Sequence, residues 1–222
     1  MENREPALER RRAATLPRAR HHRDELRIGP VVVRNHPAVV LDAADLRFRD
    51  PELPGGELEI HGILGWPIIR ELDVTIDFAA RRLTVQRPAE RAVMPRNFSR
   101  LGYPVVAART ENGRPLLLGL DTGAARSFLT PSFLEAAGVG ADGSRTRRVG
   151  GAGGFDTVTV QILNSASLIL DHWRVRFRHI DIHEQNATRS LDLDGVLGSD
   201  IAAGRALRLD FRNGRFELLE PS

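Results

Sequence analysis

Apolar residues in this chain come in short β-branched or alternating runs divided by turn residues, a pattern that fits many small strands better than a helical bundle. Residues 1–25 are polar and Arg-rich and read as a solvated or disordered arm. Val31-Val32-Val33 and Ala38-Val39-Val40-Leu41 read as strands, and Asp50-Pro51 through Gly55-Gly56 as a turn cluster. Residues 91–100, with Pro95 and Asn97, read as a linker. Next come a strand at Tyr103–Ala108, a turn at Glu111-Asn112-Gly113, and an apolar strand at Leu116–Leu120 that runs into Asp121-Thr122-Gly123-Ala124. Thr130-Pro131 reads as a cap followed by Pro at the first helical position, which predicts a short helix over Ser132–Ala137 stopped by Gly138. Arg148–Gly154 is a Gly-rich tip, Phe155–Leu163 an alternating strand, and SLIL with WRVRFRHI a further hairpin.

An internal repeat organises these pieces. Shifting the sequence by 133 residues lays Gly62–Val85 on Gly195–Leu218 without a gap, with seven of 24 positions identical, among them Gly62/Gly195, Leu64/Leu197, Gly65/Gly198, Asp77/Asp210 and Phe78/Phe211. A match of that length implies two copies of one supersecondary unit. Each copy reads as a short strand, a Gly turn, one or two helical turns and a hairpin, and Asn213-Gly214 reads as a two-residue hairpin turn. Asp77 and Asp210, duplicated beside the hairpin turns, read as structural strand residues.

Composition narrows the function classes. The net charge is only +3, although the sequence pI is about 10.6, because all 32 basic residues are Arg, scattered among 29 acidic ones. Without clustered charge or interleaved aromatics, nucleic-acid binding is not expected. The absence of Cys removes thiol nucleophiles, thiolate metal sites and disulfides. No apolar run has the length of a spanning helix, and the first 26 residues lack the apolar core of a signal peptide, so neither a membrane nor an export route is expected, and the compartment stays open. His179 and His183, with Asp181 and Glu184, do not converge on an alternating strand, so no metal site is expected. The Gly150–Gly154 tip is followed by β alternation rather than a helix, which argues against a phosphate loop.

Asp-Thr-Gly alone is a weak motif, but its context is informative: an apolar strand, Asp121-Thr122-Gly123-Ala124, Ser127-Phe128-Leu129-Thr130, a Gly-rich hairpin, Val196-Leu197-Gly198 and a closing hairpin. Over residues 101–220 this order resembles the bacterial retropepsin-like aspartic peptidase family. The resemblance implies an all-β fold, a closed β-barrel with one or two short helices. A partial repeat of the same fold, residues 26–90, would precede it. It implies Asp121 as the catalytic carboxylate, with Thr122, Gly123 and Ala124 supporting the loop. Val149, Gly150, Gly151, Ala152, Gly153, Gly154 and Phe155 would be a flap over a peptide substrate, and Val196, Leu197 and Gly198 would pack beneath the loop. No cofactor is implied.

The chemistry of such a site asks for two carboxyls, one ionised to take a proton from water and one protonated to polarise the scissile carbonyl. The chain has no second Asp-Thr-Gly or Asp-Ser-Gly. The repeat offset puts the twin of Asp121 upstream of Met1, so the first copy reads as a half-domain without its catalytic strand. The expectation is an aspartic endopeptidase whose second Asp comes from a homodimer partner or from a missing N-terminal lobe; the alternative is an inactive peptide-binding or dimerisation module.

Overall fold

The 3.6-residue helical period is nearly absent and the period-two pattern dominates, and the computed structural model is accordingly built from strands. It describes residues 20–40, 42, 46–49, 56–90, 95–151, 154–184 and 191–220. In chain order the first part holds β1(Arg20–Ile28), β2(Val31–Val39), β3(Arg47–Arg49), β4(Glu57–Glu59), α1(Trp66–Ile69), β5(Asp73–Asp77) and β6(Arg82–Gln86). The second part holds β7(Phe98–Arg100), β8(Pro104–Thr110), β9(Pro115–Leu120), β10(Phe128–Leu129), α2(Pro131–Ala137), β11(Gly143–Gly151), β12(Gly154–Leu170), β13(Trp173–Ile182), β14(Gly195–Leu197), a 3₁₀ turn at Ser199–Ala202, β15(Ala206–Asp210) and β16(Arg215–Leu219).

Strands β12, β13, β10, β14, β9 and β8 pair in that order, and β8 pairs back to β12, closing a six-stranded barrel. The fold is all-β around this closed barrel, consistent with the retropepsin-like barrel that the sequence resemblance implies. The pairings β10–β13 and β14–β9 are parallel and the other barrel pairings antiparallel. Leu116, Leu118 and Leu120 alternate inward from β9 and are fully buried, whereas Leu117 between them is exposed. With Val106, Leu129, Leu163, Leu168, Leu197 and Phe216 they form the main core.

Several sequence expectations are corrected. The segment read as an arm contains the start of β1 at Arg20, because residues 20–28 find a partner in β2 across the Gly29-Pro30 turn; residues 1–19 lie outside the described residues. The two runs around Val31 and Val39 belong to one strand. The segment read as a linker ends in β7, where Phe98 is buried against Phe211 and Phe216, and Asn97 bonds both ways to the Phe216 backbone. Thr130 sits at the N-cap of α2 but makes no cap bond; its hydroxyl donates to Leu193 O at 2.8 Å. Gly138 ends the helix in the left-handed conformation. Asn213-Gly214 is not a two-residue turn. The last pair of the ladder is Asp210 with Arg215, and the Asp210 carboxylate accepts the Asn213 N–H at 3.0 Å. Asp77 accepts the Ala80 N–H at 2.8 Å in the same way, 133 residues earlier.

The two hairpins of the sequence repeat meet in one antiparallel sheet, β16-β15-β5-β6. Its central register runs from Ala206 opposite Asp77 to Asp210 opposite Asp73, so the corresponding positions Thr75 and Arg208 face each other at the middle. Arg208 crosses this seam to the buried Asp73 carboxylate, through Nε to Oδ1 at 3.0 Å and Nη2 to Oδ2 at 2.7 Å, and Gln86 Nε2 donates to Oδ2. Burial pushes the Asp73 carboxyl up, but the Arg208 and Gln86 hydrogen bonds and the Arg208 charge outweigh it and hold the group below the ordinary aspartate range. Trp66 and Phe78 of the first copy pack on the main core, and Trp66 lies 5.6 Å from Phe211.

Candidate active site

Strand β9 delivers Asp121 to the end of the barrel, and the neighbouring β14 holds the loop that follows. The Asp121 N–H donates to Leu197 O at 2.9 Å, so the parallel β9–β14 ladder continues into the loop. The Asp121 carboxylate accepts the Gly123 N–H at 2.9 Å, and the Ala124 N–H donates to Asp121 O at 3.1 Å. From the other side, the Ser199 N–H and hydroxyl both donate to Ala124 O, at 2.8 and 3.1 Å. Ser127 closes the loop: its Oγ donates to Asp200 Oδ1 at 2.6 Å and accepts the Gly198 N–H at 2.9 Å. Every hydrogen bond here uses a backbone group or a short side chain, which fixes the loop at little rotamer cost.

Close approach explains the glycines. A Cβ on Gly198 would lie 2.6 Å from the Arg126 carbonyl carbon, and one on Gly195 would lie 2.5 Å from Phe128 O. Val196 and Leu197 between them are buried, so the Val196-Leu197-Gly198 segment sits beneath the Asp121 loop. Asp121 is solvent-exposed, and among the described residues its carboxylate takes one hydrogen bond, from Gly123. Thr122, half-buried beside it, has no hydrogen-bond partner for its hydroxyl among the described residues.

The hairpin of β11 and β12 pairs through Val149 with Asp156, Gly150 with Phe155, and Gly151 with Gly154; Ala152 and Gly153 lie outside the described residues. Arg145 and Arg147, on the β11 arm of this hairpin, both clamp Asp181 of β13, with Arg145 Nε at 2.7 Å and Arg147 Nε at 3.0 Å. Between this arm and Ala125–Ser127 opens a cavity of about 340 Å³. Arg126 and Arg178 also line it and have no ion pair among the described residues.

Tyr103 is a site residue that the strand pattern around it does not single out. Its ring packs against Gly119, two residues before Asp121, where a Cβ would lie 2.8 Å from Tyr103 Cε1. Burial, and secondarily the Asp121 charge, push the phenol up to about 12, so it stays a neutral donor beside the carboxylate. His183 does not point to a metal: it stacks on Phe128 with ring centroids 4.5 Å apart. Burial pushes its imidazole down, Asp181 pulls it up and Arg147 adds to the lowering, so it leans to the neutral form. Among the described residues no group of three or more His, Asp or Glu is placed to hold a metal ion, and no helix is long and apolar enough to cross a membrane. A family model described as aspartyl protease matches residues 106–201. No curated protein matches the chain.

Proposed function

We propose that the chain is an aspartic endopeptidase in which Asp121 is the catalytic carboxylate, a reading supported by the match of residues 106–201 to the aspartyl protease family model. One observation carries the reading: an exposed carboxylate at the end of a buried strand, on a loop held from below by Leu197 O, Gly198 N–H and Ser199. Such a loop presents its acid without needing to reorganise. Thr122, Gly123 and Ala124 shape the loop, and residues 149–155 cover an extended peptide that lies between them and Asp121 as an added strand. Val196, Leu197 and Gly198 are the packing beneath the loop.

The reaction is addition of water to the peptide carbonyl. An ionised carboxylate removes a proton from the water as its oxygen attacks the carbonyl carbon, while a protonated carboxyl donates to the carbonyl oxygen. The proton then passes to the leaving amine as the C–N bond breaks. Two carboxyls in contact share one proton and so supply both forms at once. Asp121 is one of the pair, and the second comes from a homodimer partner or from an N-terminal lobe outside these 222 residues. The pairing of β5 along the edge of β15 supports the lobe as the source, because that edge is already taken by a strand of this chain. The Thr122 hydroxyl, without a hydrogen-bond partner among the described residues, fits a loop that faces a second one from either source.

A non-catalytic peptide-binding or dimerisation module is the second reading, favoured by the single hydrogen bond to the Asp121 carboxylate among the described residues. Cleavage of an unstructured protein separates the two. An aspartic endopeptidase loses activity in Asp121→Asn and resists thiol, serine and chelating inhibitors, whereas undiminished cleavage by that variant removes the assignment.

A further inference from the structure

The two copies of the Gly-apolar-Leu-Gly segment have the same sequence logic and opposite surroundings. In the second copy, Gly195–Gly198 is buried throughout, with Val196 at 3% and Leu197 at 0% exposure. The cover is Asp121 to Phe128: a Cβ on Gly195 or Gly198 would meet its backbone at 2.5 and 2.6 Å, and Leu197 O, Gly198 N–H and Ser199 N–H each bond to it. In the first copy, Ile63 is 66% exposed. A Cβ on Gly62 would meet nothing within 4 Å, and one on Gly65 would meet only its own neighbour Pro67, at 3.4 Å. Leu64 O, Gly65 N–H and Trp66 N–H are the counterparts of the three groups that grip the catalytic loop. They have no hydrogen-bond partner among the described residues.

We propose that Gly62–Trp66 is a docking site for a second catalytic strand and loop, an extended apolar segment ending in Asp-Thr-Gly or Asp-Ser-Gly, supplied by polypeptide outside these 222 residues. The molecule itself displays the occupant, since the twin of this site holds such a segment. Both glycines are spared a side chain where no contact in the first copy demands it, which a covering backbone at 2.5–2.6 Å would demand, as it does at Gly195 and Gly198. The β5–β6 hairpin that follows the α1 turn pairs with β15 through β5, in a register symmetric about Thr75 and Arg208. A segment docked on Gly62–Trp66 as Asp121–Phe128 docks on Gly195–Ser199 is therefore related to it by the same axis, and brings its carboxyl toward Asp121 and its loop toward Thr122. The proposal rests on the peptidase reading for the use of that carboxyl, but not for the docking.

The test is a synthetic peptide with the sequence of Arg114–Thr130, labelled at its N-terminus and titrated with the full chain, against a scrambled peptide of the same composition. Saturable binding of the native-order peptide alone is expected. Gly62→Val and Gly65→Val, which fill open space, should weaken it by tenfold or more while leaving the melting temperature of the free chain unchanged. Equal binding to these variants, equal binding of the scrambled peptide, or no binding to the unmodified chain would overturn the proposal. Peptidase activity of the mixture is a separate readout. Binding without cleavage leaves docking standing and counts against the peptidase, whereas cleavage without binding leaves the peptidase standing with a homodimer as its source of the second acid.

Discussion

Tyr103 is the only tyrosine in the chain, so its ionisation reads the environment beside Asp121 without interference. Its phenolate absorbance should appear with a midpoint of about 12, and in Asp121→Asn the midpoint should fall, because one of the two causes of the shift, the carboxylate charge, is gone. An unchanged midpoint in that variant would place Asp121 too far away to matter. The sign for stability is that of a raised group: the contribution is complete below the ordinary value of 10 and is lost as the pH rises through 12. Gly198 gives a second check at this scale. Gly198→Ala forces a methyl against the Arg126 backbone and should cost about 1–3 kcal/mol or more in denaturant unfolding, with activity falling alongside.

Among the elements, the β5–β15 seam carries the buried charge. Arg208→Met strands the Asp73 carboxylate in a nearly dry site and should destabilise the chain by about 3–5 kcal/mol at pH 7 in chemical denaturation. The folded Asp73 is depressed, so the wild-type contribution is complete above the ordinary aspartate value of 3.8 and disappears as the pH falls through the lower folded value. The gap between wild type and Arg208→Met should therefore close on acidification; a gap that widened would contradict the assignment. The elements themselves were largely legible where period two and turn chemistry agreed, as in β8, β9 and the stop of α2 at Gly138. The misreadings occurred where a distant partner decided the outcome. β7 forms because Phe98 finds Phe211 and Phe216 more than a hundred residues away, and β1 begins at Arg20 because β2 is there to pair with it. The Asn213-Gly214 turn is longer than the dipeptide predicts because the Asp210 side chain, and not the dipeptide alone, sets it. At the site, Asp121 and its loop could be read from the order of motifs, but Tyr103 could not, since its role arises from the ring lying across Gly119.

Across the molecule, the exposed Asp121 carboxylate sits at the end of a closed barrel, and the β5–β6 hairpin joins β15 and β16 in one four-stranded sheet. Amide hydrolysis by carboxyls needs a pair, and β5 already occupies the β15 edge. Under the proposed mechanism the rate should peak at weakly rather than strongly acidic pH, and a profile peaking at about pH 2 would contradict it. Ala124 follows Asp-Thr-Gly without a hydroxyl that could donate to a carboxylate there. The most direct measurement is turnover of an unstructured protein substrate by wild type and by Asp121→Asn, each assayed over a range of chain concentrations and with the Arg114–Thr130 peptide added. Cleavage that requires either a higher concentration or the peptide in the wild type, and that vanishes in Asp121→Asn while the melting temperature holds, is the predicted result. Equal turnover by the two proteins, or none by the wild type under any of these conditions, would contradict it.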